Sequence, residues 1–390
     1  MFRLDCQIMP YAWGSRTAIA ALCGRPHPTA QPEAELWMGA HPAAPSRAGG
    51  DALDRLIDQS PGSALGAASV ARFGPRLPFL MKVLAADQPL SLQVHPSVEQ
   101  AREGFAREDQ GGVPLGAPHR TYKDANHKPE LIYALERFEA LSGFRPLDEA
   151  RDVLRALGVA PLDALVAAGS DASPRELFTA LVRLERERRG PLVSAVAHEA
   201  ARLGAGRGPH AAAYAWAAEL GSRYPGDPGV IAALMLRYVV LEPGQAMYLP
   251  AGNLHAYLRG VGIEIMASSD NVLRGGLTPK HVDVDELLRI LDFDAQPPAL
   301  VAPNEVRRGE HAYATPAPDF ALSRIELAGA DALSLDVTAA EIVFCARGRV
   351  TLAGTTDLVL VAGQSAFVPA AARRYSLVGS GTVFRATARV

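Results

Sequence analysis

Apolar positions follow two different rhythms along the chain. Up to about Pro146 they come in short runs broken by Gly and Pro. Leu80-Met81-Lys82-Val83-Leu84 and Leu90-Ser91-Leu92-Gln93-Val94-His95 are examples, and they predict strands bounded by turns. From Leu147 the rhythm changes. Ala150, Val153, Leu154 and Leu157 follow i, i+3, i+4, i+7, one face of a helix, and Gly158 predicts its stop. Ser173-Pro174-Arg175-Glu176 has the form of a capping box with Pro at the first helical position, ahead of an apolar stripe at Leu177, Leu181 and Leu184. Ala-rich stretches around His198 and His210 extend the helical character, and Glu185-Arg186-Glu187-Arg188-Arg189 reads as a solvated face. After Arg237 strands return: Val239-Val240-Leu241, the turn Glu242-Pro243-Gly244, then Ala246 to Leu249. Pro279 to Leu291 is expected to be helical, and short apolar segments with Gly turns run from Pro303 to the C-terminus.

The expected fold is mainly β with an α-helical insert. Residues 1–146 and 237–302 would form one β domain, 147–236 the insert and 303–390 a smaller β domain. Many short strands separated by turns fit jelly-roll barrels, here two of them plus the helical domain.

Composition narrows the class. The 390 residues are 48% hydrophobic and 21% charged, a folded composition long enough for two or three domains. Lys+Arg total 39 against Asp+Glu 42, a net charge of -3, which argues against a nucleic-acid surface. Cys6, Cys23 and Cys345 are scattered without CxxC spacing, so a disulfide framework is not expected and a reducing cytoplasm fits. No apolar run reaches the ~20 residues of a membrane span, and Met1-Phe2-Arg3-Leu4-Asp5 lacks the layout of a signal peptide.

One spacing carries chemistry. Gly244, Pro250, Gly252 and His255 resemble the second signature of the cupin jelly rolls, with Arg259 where that pattern usually has Asn. Gly244 and Pro250 bracket a strand, Gly252 permits a tight turn, and His255 is aimed inward as a metal ligand. The frame recurs at Gly363 and Pro369, but Ala371 replaces the second Gly and Arg374 the His. The second barrel is therefore expected to be metal-free.

Gln93 and His95 are two apart on a predicted strand, so both side chains leave by one face. Cupins usually carry His-x-His here, and Gln93 would offer its carbonyl oxygen instead. Pro129 biases Lys128 to an extended geometry and helps aim Glu130. Gln93, His95, Glu130 and His255 thus give two nitrogens and two oxygens, a set suited to one Zn²⁺, with Mn²⁺ or Fe²⁺ as alternatives. His27, His119, His198, His210, His281 and His311 are read as ordinary surface or core histidines, and His41 as a loop residue.

Longer strings then point to a family. Pro10-Tyr11-Ala12-Trp13-Gly14-Ser15, Ala34-Glu35-Leu36-Trp37-Met38-Gly39, Leu77-Pro78-Phe79-Leu80-Met81-Lys82, and above all the stretches Tyr122 to Glu130 and Ala267 to Lys280 resemble the type I phosphomannose isomerases. Residues 8–290 carry most of the resemblance. It is weak in the helical insert and weaker after Pro303, and Ala125 stands where family members often have Pro. The resemblance implies an aldose–ketose isomerase acting on mannose 6-phosphate and fructose 6-phosphate, with one zinc on the four ligands above. It places the active-site arginine at Arg274 and the phosphate contacts at Lys82, Ser91 and Lys280.

The reaction needs a base, ring opening and stabilisation of a growing oxyanion. Arg274 holds its proton, so charge stabilisation is its expected role. Glu264, on the strand after His255, is the candidate base, and the solvent-facing position of an alternating strand is its plain alternative. His127 and Lys128, just before Glu130, are candidates for ring opening or proton transfer. Trp13 and Tyr257 are candidate pocket walls or plain core. The expected partner is a small sugar phosphate, with no nucleic acid or membrane, and the expected state is a monomer. Two rival functions are kept: an Fe²⁺-dependent cupin oxygenase and a non-catalytic sugar-phosphate-binding protein.

Overall fold

The computed structural model describes residues 1–168, 173–294 and 296–390. Its strands form two antiparallel sheets. In one, the order is 299–301, 246–249, 130–134, 255–267, 79–86, 35–38 and 7–9, and strands 92–94, 138–144, 236–241 and 273–276 join it through the long strand His255–Ala267. The other runs 303–307, 310–313, 321–336, 374–387, 341–353, 364–368, 2–5, 47–48 and 51–52, with 358–361 beside 341–353. The second sheet thus draws strands from both ends of the chain: Phe2 lies opposite Phe367 and Leu4 opposite Ser365. Strand 299–301 belongs to the first sheet and strand 303–307 to the second.

His255–Ala267 organises the first sheet. Its first half pairs with 92–94 and 138–144, and its second half with 79–86 and 130–134. A register shift lies between Tyr257 and Arg259, where the strand passes from one set of partners to the other. His255 is thereby set opposite Gln93, and Glu130 opposite Met266.

The helical residues fold as their spacing predicts. Leu147–Arg155 buries Ala150, Val153 and Leu154, and Gly158 beyond it takes φ +65°. Ser173 caps Pro174–Val182 with Glu176 as its reciprocal partner. Arg186–Gly204, Ala211–Arg223 and Gly229–Leu234 follow. Their apolar faces pack with Leu92, Val94, Leu254, Leu273 and Leu277 in one core. A second core joins the two sheets, with Phe79, Met81, Ile263 and Ile265 against Phe320, Phe344, Phe367 and Phe384. The helix expected over Pro279–Leu291 is shorter, Val284–Ile290. Asp283 accepts the Glu286 N–H at its start, which leaves Pro279 and Lys280 in a loop. None of the described helices is long and apolar enough to cross a membrane.

Candidate active site and metal centre

His95, Glu130 and His255 converge. Their ligand atoms lie within 4.8 Å of one another and all three residues are buried. The Glu130 oxygens are each 3.4 Å from an imidazole Nε2, Oε1 from His95 and Oε2 from His255. The other ring nitrogens are already committed. His95 Nδ1 donates to the Asn271 carbonyl at 2.7 Å and His255 Nδ1 to the Asn253 carbonyl at 2.9 Å. That fixes the tautomer and turns both Nε2 lone pairs toward Glu130. His95 Nε2 is buried without a hydrogen bond, an expensive state for a polar atom unless a ligand takes it. Burial, helped by Lys128, pushes the His95 imidazole down to about 4, so it is neutral and ready to ligate at neutral pH. Burial would raise the Glu130 carboxyl, but Lys128, whose Nζ lies 3.2 Å from Oε1, and the histidines together hold it well below its usual range. The donor set fits a divalent cation of borderline softness.

The cluster opens onto a cavity of about 490 Å³. Gln93, Lys128, Glu130 and His255 are in its wall, with His95 behind them. Arg274 lies opposite Gln93 on the neighbouring strand. From there the wall continues to Lys280, whose amine is made easier to deprotonate by the Arg274 charge and then by burial. Among the described residues neither cation makes an ion pair with a carboxylate. Ser91, Trp13 and Tyr257 also line the cavity.

Lys82 also lines the cavity. Lys82, expected at the phosphate, is buried between two carboxylates, with Nζ 2.8 Å from Glu264 Oε2 and 3.3 Å from Glu35 Oε1. Burial opposes its charge, yet the two carboxylates raise its pKa, so its charge is already spent on neighbours. A phosphate dianion there would face Glu35 and Glu264. His127 is outside the cavity wall. Its Nε2 pairs with Asp319 Oδ2 at 2.8 Å, which ties the segment before Glu130 to the second sheet.

Glu264 is on the wall and not in solvent. Its Oε1 accepts the Tyr257 hydroxyl at 2.7 Å and its Oε2 faces Lys82. Burial raises its pKa while Lys82 pulls against it. The chain continues through Glu35, whose Oε2 accepts the Trp37 indole N–H at 2.6 Å.

Several wall residues are passed over by the sequence reading. Glu35 and Trp37 carry a usable signal, a charge and an indole inside the quoted Ala34–Gly39 string. His41 carries none. It is 3% exposed, packs edge-on against Trp37, and sets Nε2 3.4 Å from Asp270 Oδ1. Its Nδ1 accepts the Ala43 N–H, so Nε2 holds the proton and the bond lowers the Asp270 pKa.

The two most specific sequence strings prove to be one stitched unit. The Asn271 amide accepts the Lys123 N–H at 2.7 Å and donates to the Asp124 and Asn126 carbonyls at 2.7 and 2.8 Å. Asp124 in turn accepts from the Ser269 hydroxyl and the Asp270 N–H, both at 2.8 Å. The same Asn271 presents the carbonyl that orients His95.

The chain is similar to known proteins over its whole length. A family model described as the catalytic domain of type I phosphomannose isomerase matches residues 1–147, and one described as the mannose-6-phosphate isomerase cupin domain matches residues 310–388. The chain is 40% identical over 394 residues to the mannose-6-phosphate isomerase of Escherichia coli (strain K12), covering 99% of each. It is 35% identical over 368 residues to that of Homo sapiens, covering 84% of this chain and 82% of the human one. It also superposes on a crystal structure of mannose 6-phosphate isomerase bound with zinc and yttrium, with a TM-score of 0.91, 38% identity and 100% of both chains covered.

Proposed function

The chain belongs to the type I phosphomannose isomerase family, and we propose that it interconverts D-mannose 6-phosphate and D-fructose 6-phosphate with one bound zinc. The observation that carries the reading is the layout of one cavity: a buried His–Glu–His cluster inside, and two cations, Arg274 opposite Gln93 and then Lys280, without carboxylate partners among the described residues. We read each sheet as a cupin-type barrel, with the ligands in the first alone.

In this reading Gln93, His95, Glu130 and His255 hold the zinc. When bound, it supplies Lewis-acid polarisation of the sugar oxygens. Lys280, with the Ser91 hydroxyl, receives the phosphate dianion. That directs the other end of the open-chain sugar toward the buried cluster. Glu264 takes the proton from C2. The C2–H electrons form the C1–C2 double bond and the C1 carbonyl becomes the enediol oxygen. The C2 hydroxyl proton passes to the C1 oxygen, the C2–O electrons form the ketone, and the C1–C2 double-bond pair takes the proton back from Glu264 at C1. Burial favours a carboxyl that can accept and release a proton, and Lys82 and Tyr257 keep it aimed. Arg274 faces the charge that grows as the enediol forms, a role a permanently charged guanidinium suits. Lys128, beside Glu130, is placed to assist ring opening. His127 takes no part in the chemistry. The acting unit in this reading is a monomer, and its partner is a small sugar phosphate.

The test is a coupled assay for fructose 6-phosphate formed from mannose 6-phosphate. Chelation is expected to abolish turnover and added zinc to restore it. Full turnover by rigorously metal-free protein, or none by zinc-loaded protein, contradicts the reading.

A further inference from the structure

The loop that carries Lys280 is held from outside the cavity. Asp227 sits between helices Ala211–Arg223 and Gly229–Leu234 of the helical segment and is absent from the cavity wall. One carboxylate oxygen accepts the Gly229 N–H at 2.8 Å, and the other accepts the Thr278 N–H at 3.2 Å. Thr278 Oγ1 then accepts the Lys280 N–H at 3.1 Å. A continuous line of hydrogen bonds therefore runs from the helical segment to the backbone of the cation at the mouth.

The path this line fixes is not one the chain adopts unaided. Leu277 takes φ +57°, the left-handed region that a leucine seldom enters, and its side chain is buried in the helical core. Gly276, at φ +126°, passes so near that a Cβ there would lie 2.8 Å from Gly229 Cα and 2.9 Å from Asp227 Oδ1. Backbone strain of this kind persists only where surrounding contacts over-determine it. Asp227 supplies one of those contacts directly, through the Thr278 N–H, and its bond to the Gly229 N–H ties the same carboxylate to the helical segment.

We propose that Asp227 is a positioning residue that sets affinity for the substrate's phosphate by holding residues 276–280 in register. The inference rests on the reading of Lys280 as a phosphate contact. It assigns to the helical segment a part in recognition, although among its described residues that segment supplies none of the clustered ligands.

The experiment uses the zinc-loaded full chain with Asp227→Ala and Asp227→Asn. It measures kcat and KM for mannose 6-phosphate, and the dissociation constant of inorganic phosphate by calorimetry. Asp227→Ala is expected to raise KM and the phosphate constant together by about tenfold, equivalent to about 1.4 kcal/mol, with kcat within about twofold. Asp227→Asn keeps one acceptor and is expected to fall between Ala and wild type. A folded Ala variant with an unchanged phosphate constant overturns the proposal, as does a fall in kcat alone. If the Ala variant does not fold, the Asn variant decides by the same constants. A wild-type chain that binds no phosphate also overturns it. If wild type binds phosphate without isomerising, the isomerase reading fails while the phosphate constant still decides this one.

Discussion

Lys82 is the side chain on which the buried charges of the cavity depend. It pairs with both Glu264 and Glu35, and all three residues are nearly removed from water. Removing the cation strands two carboxylates, a loss that costs about 3–5 kcal/mol when a buried pair is broken. Lys82→Met should therefore lower the unfolding free energy by about that much in a urea titration at neutral pH. A loss below about 1 kcal/mol would contradict the assigned role. The folded-state pKa of Lys82 is raised, so its contribution is fully present below the unfolded lysine value of about 10.4 and is lost only as pH rises through the folded value. The contrast between Lys82 and His95 shows what single residues disclose. Strand alternation puts Gln93 and His95 on one face, and that is enough to nominate them. A lysine inside an apolar run declares only that it needs a partner. Glu264 and Glu35 reach it from strands about 180 and 50 residues away in the chain, and no local pattern records those pairings.

Helix Val284–Ile290 anchors the segment that leads to Glu130. Its Glu286 accepts the Tyr122 hydroxyl and pairs with Arg289 at 2.7 Å and Arg107 at 2.8 Å. Burial would raise the Glu286 carboxyl, but those three partners bring it down to about 2. A depressed carboxyl contributes stability above its unfolded value, near 4.3, that is lost as pH falls through the folded value. Stability of the wild type should therefore drop between about pH 4.5 and about 2 more steeply than that of Glu286→Gln. Urea midpoints of the two proteins across that window test this, and parallel curves would refute it. Elements whose cause is local are the ones the sequence discloses: the capping box at Ser173, the stop at Gly158, and the turn before Gly244. The helix read over Pro279–Leu291 starts late because Asp227 and Leu277 hold the preceding residues in a loop, and that constraint arises in the helical segment.

For the molecule as a whole, the second sheet is completed by the beginning of the chain. Residues 303–390 produced alone would lack Phe2–Asp5 and the pairings at 47–52, leaving Gln364–Val368 as an open edge. That piece should aggregate or remain incompletely folded, and co-expression with residues 1–302 should rescue it, as read by solubility and amide dispersion in NMR. A soluble, well-dispersed 303–390 would show the N-terminal strand to be dispensable. The pairing also has a consequence in time. Phe2 and Phe367 are made roughly 360 residues apart. At ribosomal speeds of about 5–20 residues per second, the early strand waits roughly 20–70 s for its neighbour. Arg3 and Asp5 set charges between and beside Phe2 and Leu4, a gatekeeper pattern that opposes pairing with other edges during that interval. Neutralising both charges would leave the finished fold nearly unchanged. The cost would fall on yield during synthesis, where an unguarded strand meets other nascent chains before its own sheet exists.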